Sequence, residues 1–491
     1  MNYRLVFNLV GKVLVLMAAL LLLPLITSLI YAEYNAAIAF SITLGGALGL
    51  GLLLALVVKP KNQYMYAKEG MVITALAWIV VSLVGAVPFV ISREIPNFID
   101  ALFEIVSGFT TTGASILSDV ESLSHGILFW RSFSHWIGGM GVLVFILAIV
   151  NGRNDRSMHI LRAEMPGPTV DKLVPKAKTT AFILYAIYIV LTLVEAIMLW
   201  CGEMNCFEAF VHAFGTAGTG GFGIRNTSIG GYSHYSQWVI TAFMLLFGVN
   251  FNLYFLLLLR KFSSFFRNSE LWIYIGVVVA SVTVISLNIF YMADSIYTNF
   301  GDSLRDSAFQ VASLMSTTGY STVDFDRWPA LSKAILFGLM LIGGCAGSTA
   351  GGFKLTRVVL LFKKIGNDLK KTLHPRTATV VKINGEKVSD ETINGVSSYL
   401  AIYVLIFVAV FVILSLDSRV PAEYSSFETN LTASAAAFNN IGPGFAAIGP
   451  TCNFGFYSPV SKIVLIFAML LGRLEIYPLL LTLSPTTWIK R

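Results

Sequence analysis

The chain has 491 residues, of which 56% are hydrophobic and only 12% charged, with a formal net charge of +7. Soluble domains carry about 25% charged residues, so half that density over this length cannot clothe a water-facing surface. That excludes a cytosolic globular enzyme, a disordered chain and a basic nucleic-acid binder. The four cysteines, Cys201, Cys206, Cys345 and Cys452, form neither a zinc spacing nor a disulfide framework. Cys201 and Cys206 could pair if both face outside.

A spanning helix needs about 20 mostly apolar residues. In chain order, candidates lie near 6–31, 35–58, 71–92, 126–150, 179–201, 236–259, 271–293, 333–362, 394–416 and 459–483. The first has an apolar core, Val13 to Ile30, longer than that of a signal peptide, and is read as a true helix. Four stretches, 97–115, 204–224, 302–322 and 424–447, are too short to span and end in Gly, Thr, Ser or Asn. Non-helical backbone is tolerated at membrane depth only where it lines a cavity. They are therefore predicted to be re-entrant: a half helix in, then an extended return.

With the N-terminus inside and each span crossing once, the inner segments total +15 and the outer ones −8. This basic excess obeys the positive-inside rule. It puts both termini in the cytoplasm and opens all four re-entrant segments on the outer, acidic side, where the acidity is expected to attract cations.

The unit of span, re-entrant segment and span occurs four times after an N-terminal helix pair. The predicted architecture is an all-α polytopic membrane protein, with four pseudo-symmetric repeats around one pore. The expected divisions are 1–70 for the helix pair, then 71–150, 151–263, 264–393 and 394–491 for the repeats. The half helices are expected to open at Phe103-Glu104, Phe207-Glu208, Phe309-Gln310 and Phe427-Glu428, where an acid complements the helix dipole. They close on Thr111-Thr112-Gly113, Thr219-Gly220-Gly221, Thr317-Thr318-Gly319 and Asn440-Ile441-Gly442. The second and fourth segments are about four residues longer than the others. In the second, Gly218 and Gly220 are alternative counterparts, and Gly221 is preferred because an aromatic follows it, as Tyr320 follows Gly319.

Four half helices aimed at one axis put their negative ends and the carbonyls of the extended backbone beyond them around a common point. Rings of carbonyls replace the water of a dehydrated K⁺, and the Thr hydroxyls add oxygens at the inner end. No thiolate or imidazole set for a transition metal is present in these segments. Small-residue clusters also serve helix packing in membranes, but four in the same place of a repeat favour the pore. The match to G-x-G-x-x-G at Gly218–Gly223 ends a membrane half helix and does not open a βαβ unit.

These motifs carry a family resemblance. Phe109 to Ser115 (FTTTGAS), His212 to Gly223 (HAFGTAGTGGFG), Met315 to Thr322 (MSTTGYST) and Phe438 to Phe445 (FNNIGPGF) resemble the filter segments of the Trk/Ktr/HKT potassium transporters, and most closely the bacterial TrkH type. Gly343 to Gly352 (GGCAGSTAGG) and Gly472 to Glu475 (GRLE) extend the likeness over essentially the whole chain. Gly215, Ala217 and Gly218 depart from it, where such proteins more often have Ser/Thr and Ile.

The eighth span holds Gly343, Gly344, Gly347, Gly351 and Gly352, and each glycine costs about 1 kcal/mol in a helix. A break is expected there. The resemblance implies that this stretch, with Ser348 and Thr349, forms an intramembrane loop obstructing the pore. Arg473 lies within the last predicted span and needs a partner or a water-filled cavity. Glu195 is the candidate partner, whereas the resemblance puts Arg473 in the pore as a barrier to cations.

The resemblance further implies a homodimer in the bacterial cytoplasmic membrane. It also implies a TrkA-type cytosolic nucleotide-binding regulatory subunit on the basic inner segment 354–393, whose charge equally suits lipid headgroups. K⁺ is the expected cargo. No organic cofactor, no covalent chemistry and no nucleic-acid partner are expected. The alternative is a secondary transporter coupling K⁺ to H⁺ or Na⁺.

Overall fold

The computed structural model describes residues 1–60, 66–141, 177–292, 297–376 and 380–489. Six helices in it are long and apolar enough to cross a membrane: Tyr3–Ile30, Tyr34–Val57, Ala67–Ile91, Thr179–Trp200, Ser269–Met292 and Asp390–Leu416. They are the N-terminal pair and the first span of each repeat. The two N-terminal helices cross at Gly11 and Gly51, where a Cβ on either would come within 2.9 Å of the other's backbone. Only small residues allow that approach.

The second spans of the second, third and fourth repeats are interrupted, although the sequence points to a break only in the third. The first repeat's helix ends at Gly139, with Met140 as its cap; predicted span 126–150 otherwise falls on residues outside those described. In the second repeat, His234–Phe247 and Phe251–Leu258 meet at 90°. Asn250 starts the new helix by accepting from the Asn252 N–H at 2.9 Å. In the third, Ala330–Ile342 stops at Gly343 (φ +75°) and the helix resumes at Leu355. In the fourth, Pro459–Arg473 stops before Glu475 and Ile476, both at positive φ, and Tyr477–Leu483 follows. Arg473 therefore ends a helix and does not sit inside one.

Between the spans lie four pore helices: Phe98–Phe109, Cys206–Gly218, Phe300–Met315 and Phe427–Asn439. Asn97, Asn205, Asn299 and Ser426 cap their N-termini, each accepting from a backbone N–H. The expectation that all four open on Phe-Glu/Gln needs correction. Phe207-Glu208 and Phe427-Glu428 do lie in first turns, but Phe103-Glu104 and Phe309-Gln310 lie within helices already begun at Phe98 and Phe300. The cap, which satisfies free N–H groups, sets where a helix starts.

Candidate functional site: a fourfold filter above converging breaks

All four pore helices end in the same way. Thr111, Thr219, Thr317 and Asn440 are left-handed, with φ between +55° and +56°. The next residue's N–H reaches back five residues: Thr112 to Ser107 O, Gly220 to Gly215 O, Thr318 to Ser313 O and Ile441 to Ala436 O, at 2.8–3.0 Å. This is the Schellman closure, made with Thr or Asn where glycine is usual. A glycine at positive φ follows each time: Gly113, Gly221, Gly319 and Gly442. The dihedrals place Gly221, not Gly218 or Gly220, as the second segment's counterpart.

Alignment on the left-handed residue also removes the length mismatch. Glu104 then corresponds to His212, Gln310 and Ala433, so the Phe-Glu pairs of the second and fourth segments are a separate feature of the helix starts.

The four glycines form a closed ring with carbonyls of their neighbours. An ideal Cβ would stand 1.9 Å from Gly220 O on Gly113, 2.1 Å from Thr318 O on Gly221, 1.9 Å from Ile441 O on Gly319, and 2.8 Å from Thr112 O on Gly442. Each repeat's glycine thus abuts the carbonyl just before the next repeat's glycine, and the cycle closes from fourth to first. No side chain fits in that ring, and its lining is backbone oxygen.

At the inner end, Thr111 Oγ1 and Asn440 Oδ1 are buried with no hydrogen-bond partner among the described residues. They are oxygens free to accept or to face a cation. Asn440 Nδ2 donates to Thr112 Oγ1 (3.0 Å) and Met469 O (2.9 Å), tying the fourth segment to the first and to the last span. Thr317 Oγ1 accepts instead from the Gly351 N–H at 2.6 Å, and Thr219 Oγ1 donates to Gly218 O.

Above the ring opens a cavity of about 160 Å³ lined by Gly113, Gly221, Gly319 and Gly442, with Arg131 and Arg225 at its wall. No acid is among its lining residues, contrary to the expectation of an acidic mouth. The acids stand behind the arginines. Glu104 is fully buried and pairs with Arg131 at 2.8 Å, while Glu208 pairs with Arg225 at 3.1 Å. Glu104 also accepts from Ser115 Oγ and the Ile116 N–H, and Arg131 donates to Gly223 O and lies 4.2 Å over Phe222. The pair therefore links the first repeat's ring segment to the second's.

His135 performs the same service lower down. Its Nδ1 donates to Gly108 O at 2.7 Å and its Nε2 accepts from the Phe222 N–H at 3.2 Å. That fixes the tautomer and makes it a structural bridge. Sequence reasoning missed Arg131 as a residue at the wall of this cavity. The available signal was a lone arginine inside an otherwise apolar stretch.

Beneath the ring the broken spans converge. Gly343, Gly347 and Gly352 have positive φ, and the loop folds back so that Gly343 faces Gly351 and Gly352. Its backbone bonds to the break of the second repeat: Cys345 N–H to Gly248 O, and Phe251 N–H to Gly347 O, both 3.0 Å. Ser348 Oγ donates to Cys345 O, and Thr349 Oγ1 to Phe247 O. Gly344 packs against Ala350 and Gly248 O.

Arg473 donates to Thr349 O in this loop (2.9 Å) and to Gly138 O (2.6 Å) and Gly139 O (2.7 Å) at the end of the first repeat's helix. Three repeats meet on one guanidinium. Glu195 is not its partner. That residue is fully buried, and neither of its carboxylate oxygens has a hydrogen bond among the described residues. Glu475 pairs with Arg357. Cys201 and Cys206 are exposed free thiols, not a disulfide.

A family profile described as "TrkH: Cation transport protein" matches residues 39–488. The chain is 36% identical over 99% of its length, and all of the relative's, to the Trk system potassium uptake protein TrkH of Salmonella typhimurium. It is 32% identical, over 99% of each chain, to the Trk system potassium uptake protein TrkG of Escherichia coli. The crystal structure of the potassium transporter TrkH from Vibrio parahaemolyticus superposes with a TM-score of 0.87 at 31% identity, covering 100% of both chains.

Proposed function

The chain belongs to the TrkH cation transport protein family, and from that premise we propose that it takes up potassium through a channel-like pore selective for K⁺. It is a multi-pass membrane protein and, as a member of that family, a cation transporter and not an enzyme. The observation that carries the potassium reading is the closed ring formed by the carbonyls of Thr112, Gly220, Thr318 and Ile441 with the four glycines. Backbone dipoles at fixed positions exchange for the hydration shell of a weakly hydrated cation, and the Thr111 and Asn440 oxygens extend the cage inward.

The glycine loop and Arg473 form the gate in this reading. The loop lies under Thr317 and Asn440, and a guanidinium on the ion's path repels cations. The charge asymmetry supports cytoplasmic termini and places the basic segment 354–393 inside, in reach of a TrkA-type nucleotide-binding subunit. The resemblance supports a homodimer in the bacterial cytoplasmic membrane.

Purified protein in liposomes under a K⁺ gradient tests the reading. Electrogenic K⁺ flux that needs no second ion is expected; uptake that requires a proton or sodium gradient overturns it. That second outcome is the symport reading, which one observation favours: Glu195, fully buried in a spanning helix with no ion-pair partner among the described residues, is the kind of group that carries a coupling proton.

A further inference from the structure

Glu270 stands in the first turn of the third repeat's first span, Ser269–Met292, and is 9% exposed. Its Oε1 accepts from the Ala346 N–H at 2.8 Å, in the entry of the glycine loop. The same oxygen accepts from the hydroxyl of Thr356, in the first turn of the helix Leu355–Leu373 that leaves the loop. One carboxylate therefore clips both ends of the loop to a span outside it. The loop's bonds to Gly248 and Phe251 are backbone to backbone, so removing the Glu270 side chain leaves those in place.

The neighbouring residue connects this clip to the basic segment. Ser269 donates from its N–H and its Oγ to Asn384 Oδ1, at 2.8 and 2.6 Å. Asn384 lies in the turn of a two-stranded hairpin, Lys382–Ile383 paired with Glu386–Lys387, and Lys363 Nζ holds the hairpin at Lys382 O.

We propose that Glu270 is the positioning residue that latches the glycine loop across the pore, and that displacement of the basic hairpin reaches the loop through Asn384, Ser269 and Glu270. The latch rests on the reading of the loop as a gate, so its test reads the loop's position separately from flux.

Cys345 lies in the loop and is fully buried, whereas Cys201, Cys206 and Cys452 are exposed. In full-length protein carrying Cys201→Ser, Cys206→Ser and Cys452→Ser, the rate of maleimide labelling of Cys345 reports loop opening. Glu270→Ala removes both hydrogen bonds and is expected to raise that rate at least about tenfold, the fold-change given by losing even one of the two charge-assisted bonds. Glu270→Gln keeps an accepting oxygen without the charge and is expected to raise the rate by less than Glu270→Ala. Asn384→Ala is expected to raise the rate by less than Glu270→Ala.

An unchanged labelling rate in Glu270→Ala overturns the latch, and an unchanged rate in Asn384→Ala overturns the link to the hairpin. If Glu270→Ala does not fold, Thr356→Val carries the test by removing one of the two donors, and an unchanged rate there also overturns the latch. Faster labelling with unaltered K⁺ flux upholds the latch and refutes the gating role of the loop.

Discussion

Replacing Gly319 by alanine strikes the carbonyl ring at one of its two tightest points. The added Cβ would stand 1.9 Å from Ile441 O and 2.9 Å from Pro443 Cδ, with φ at +86°. Carbon approaches other heavy atoms comfortably at about 3.5 Å, so the Ile441 carbonyl and the Gly319 backbone must separate by roughly 1.5 Å. An L-residue in the left-handed region costs about 1–2 kcal/mol more. The whole disturbance falls on one of four ligating carbonyls. Every 1.4 kcal/mol of lost discrimination is about tenfold in a binding ratio. A fall of about tenfold in the K⁺ over Na⁺ permeability ratio is therefore expected, and Gly319→Ser, with the same Cβ, is expected to weaken discrimination in the same direction.

Reversal potentials or competing tracer fluxes in proteoliposomes measure the ratio. Gly338→Ala is the control, because a Cβ at Gly338 meets nothing within 4 Å; it should leave the ratio unchanged. A Gly319→Ala protein that inserts normally and keeps its permeability ratio would refute the ring as the selective element.

Arg473→Ala removes the donor that joins Thr349 O to Gly138 O and Gly139 O, and is expected to raise K⁺ flux in liposomes holding this chain alone; no rise rejects Arg473 as a barrier. Arg131→Met leaves the Glu104 carboxylate buried without its cation. Breaking one partner of a buried pair costs about 3–5 kcal/mol, so the thermal midpoint in detergent should fall sharply, and a shift no larger than that of a surface lysine substitution would contradict it. Asp417, at the cap of the helix Asp390–Leu416, supplies a pH prediction. Burial would raise its pKa, but hydrogen bonds from Arg419, Ser458 and Ser461 hold it well below the usual carboxylate range. Its contribution to stability is then present above the unfolded value of 3.8 and lost as pH falls below it. Thermal midpoints should decline below about pH 4, and Asp417→Asn should flatten that decline; an equal decline in both proteins would show that Asp417 plays no part.

Much of the fold was legible because it depends on local properties of the chain. Six of the ten predicted spans are continuous helices, since twenty apolar residues in a row mark a span whatever surrounds them. The common closure of the four short helices was legible for a similar reason. A Thr or Asn forced left-handed at a helix end, with a glycine two residues on, is a short-range signal, and it recurs four times. Even the second segment's register followed from the aromatic after Gly221.

The interrupted second spans were a different matter. Gly248 O is satisfied by Cys345, and Gly138 O by Arg473, partners separated by about a hundred residues in the first case and by more than three hundred in the second. Sequence alone determined that the chain crosses a membrane repeatedly, that it carries four short segments closing on small residues, and which of their positions are glycine. Only the tertiary structure decided that the second spans of the last three repeats break, that Arg473 binds carbonyls and not Glu195, and that Glu104 and Glu208 sit behind arginines. A helix can be broken at membrane depth only when another segment receives its freed N–H and C=O groups, and no window of neighbouring residues contains that segment.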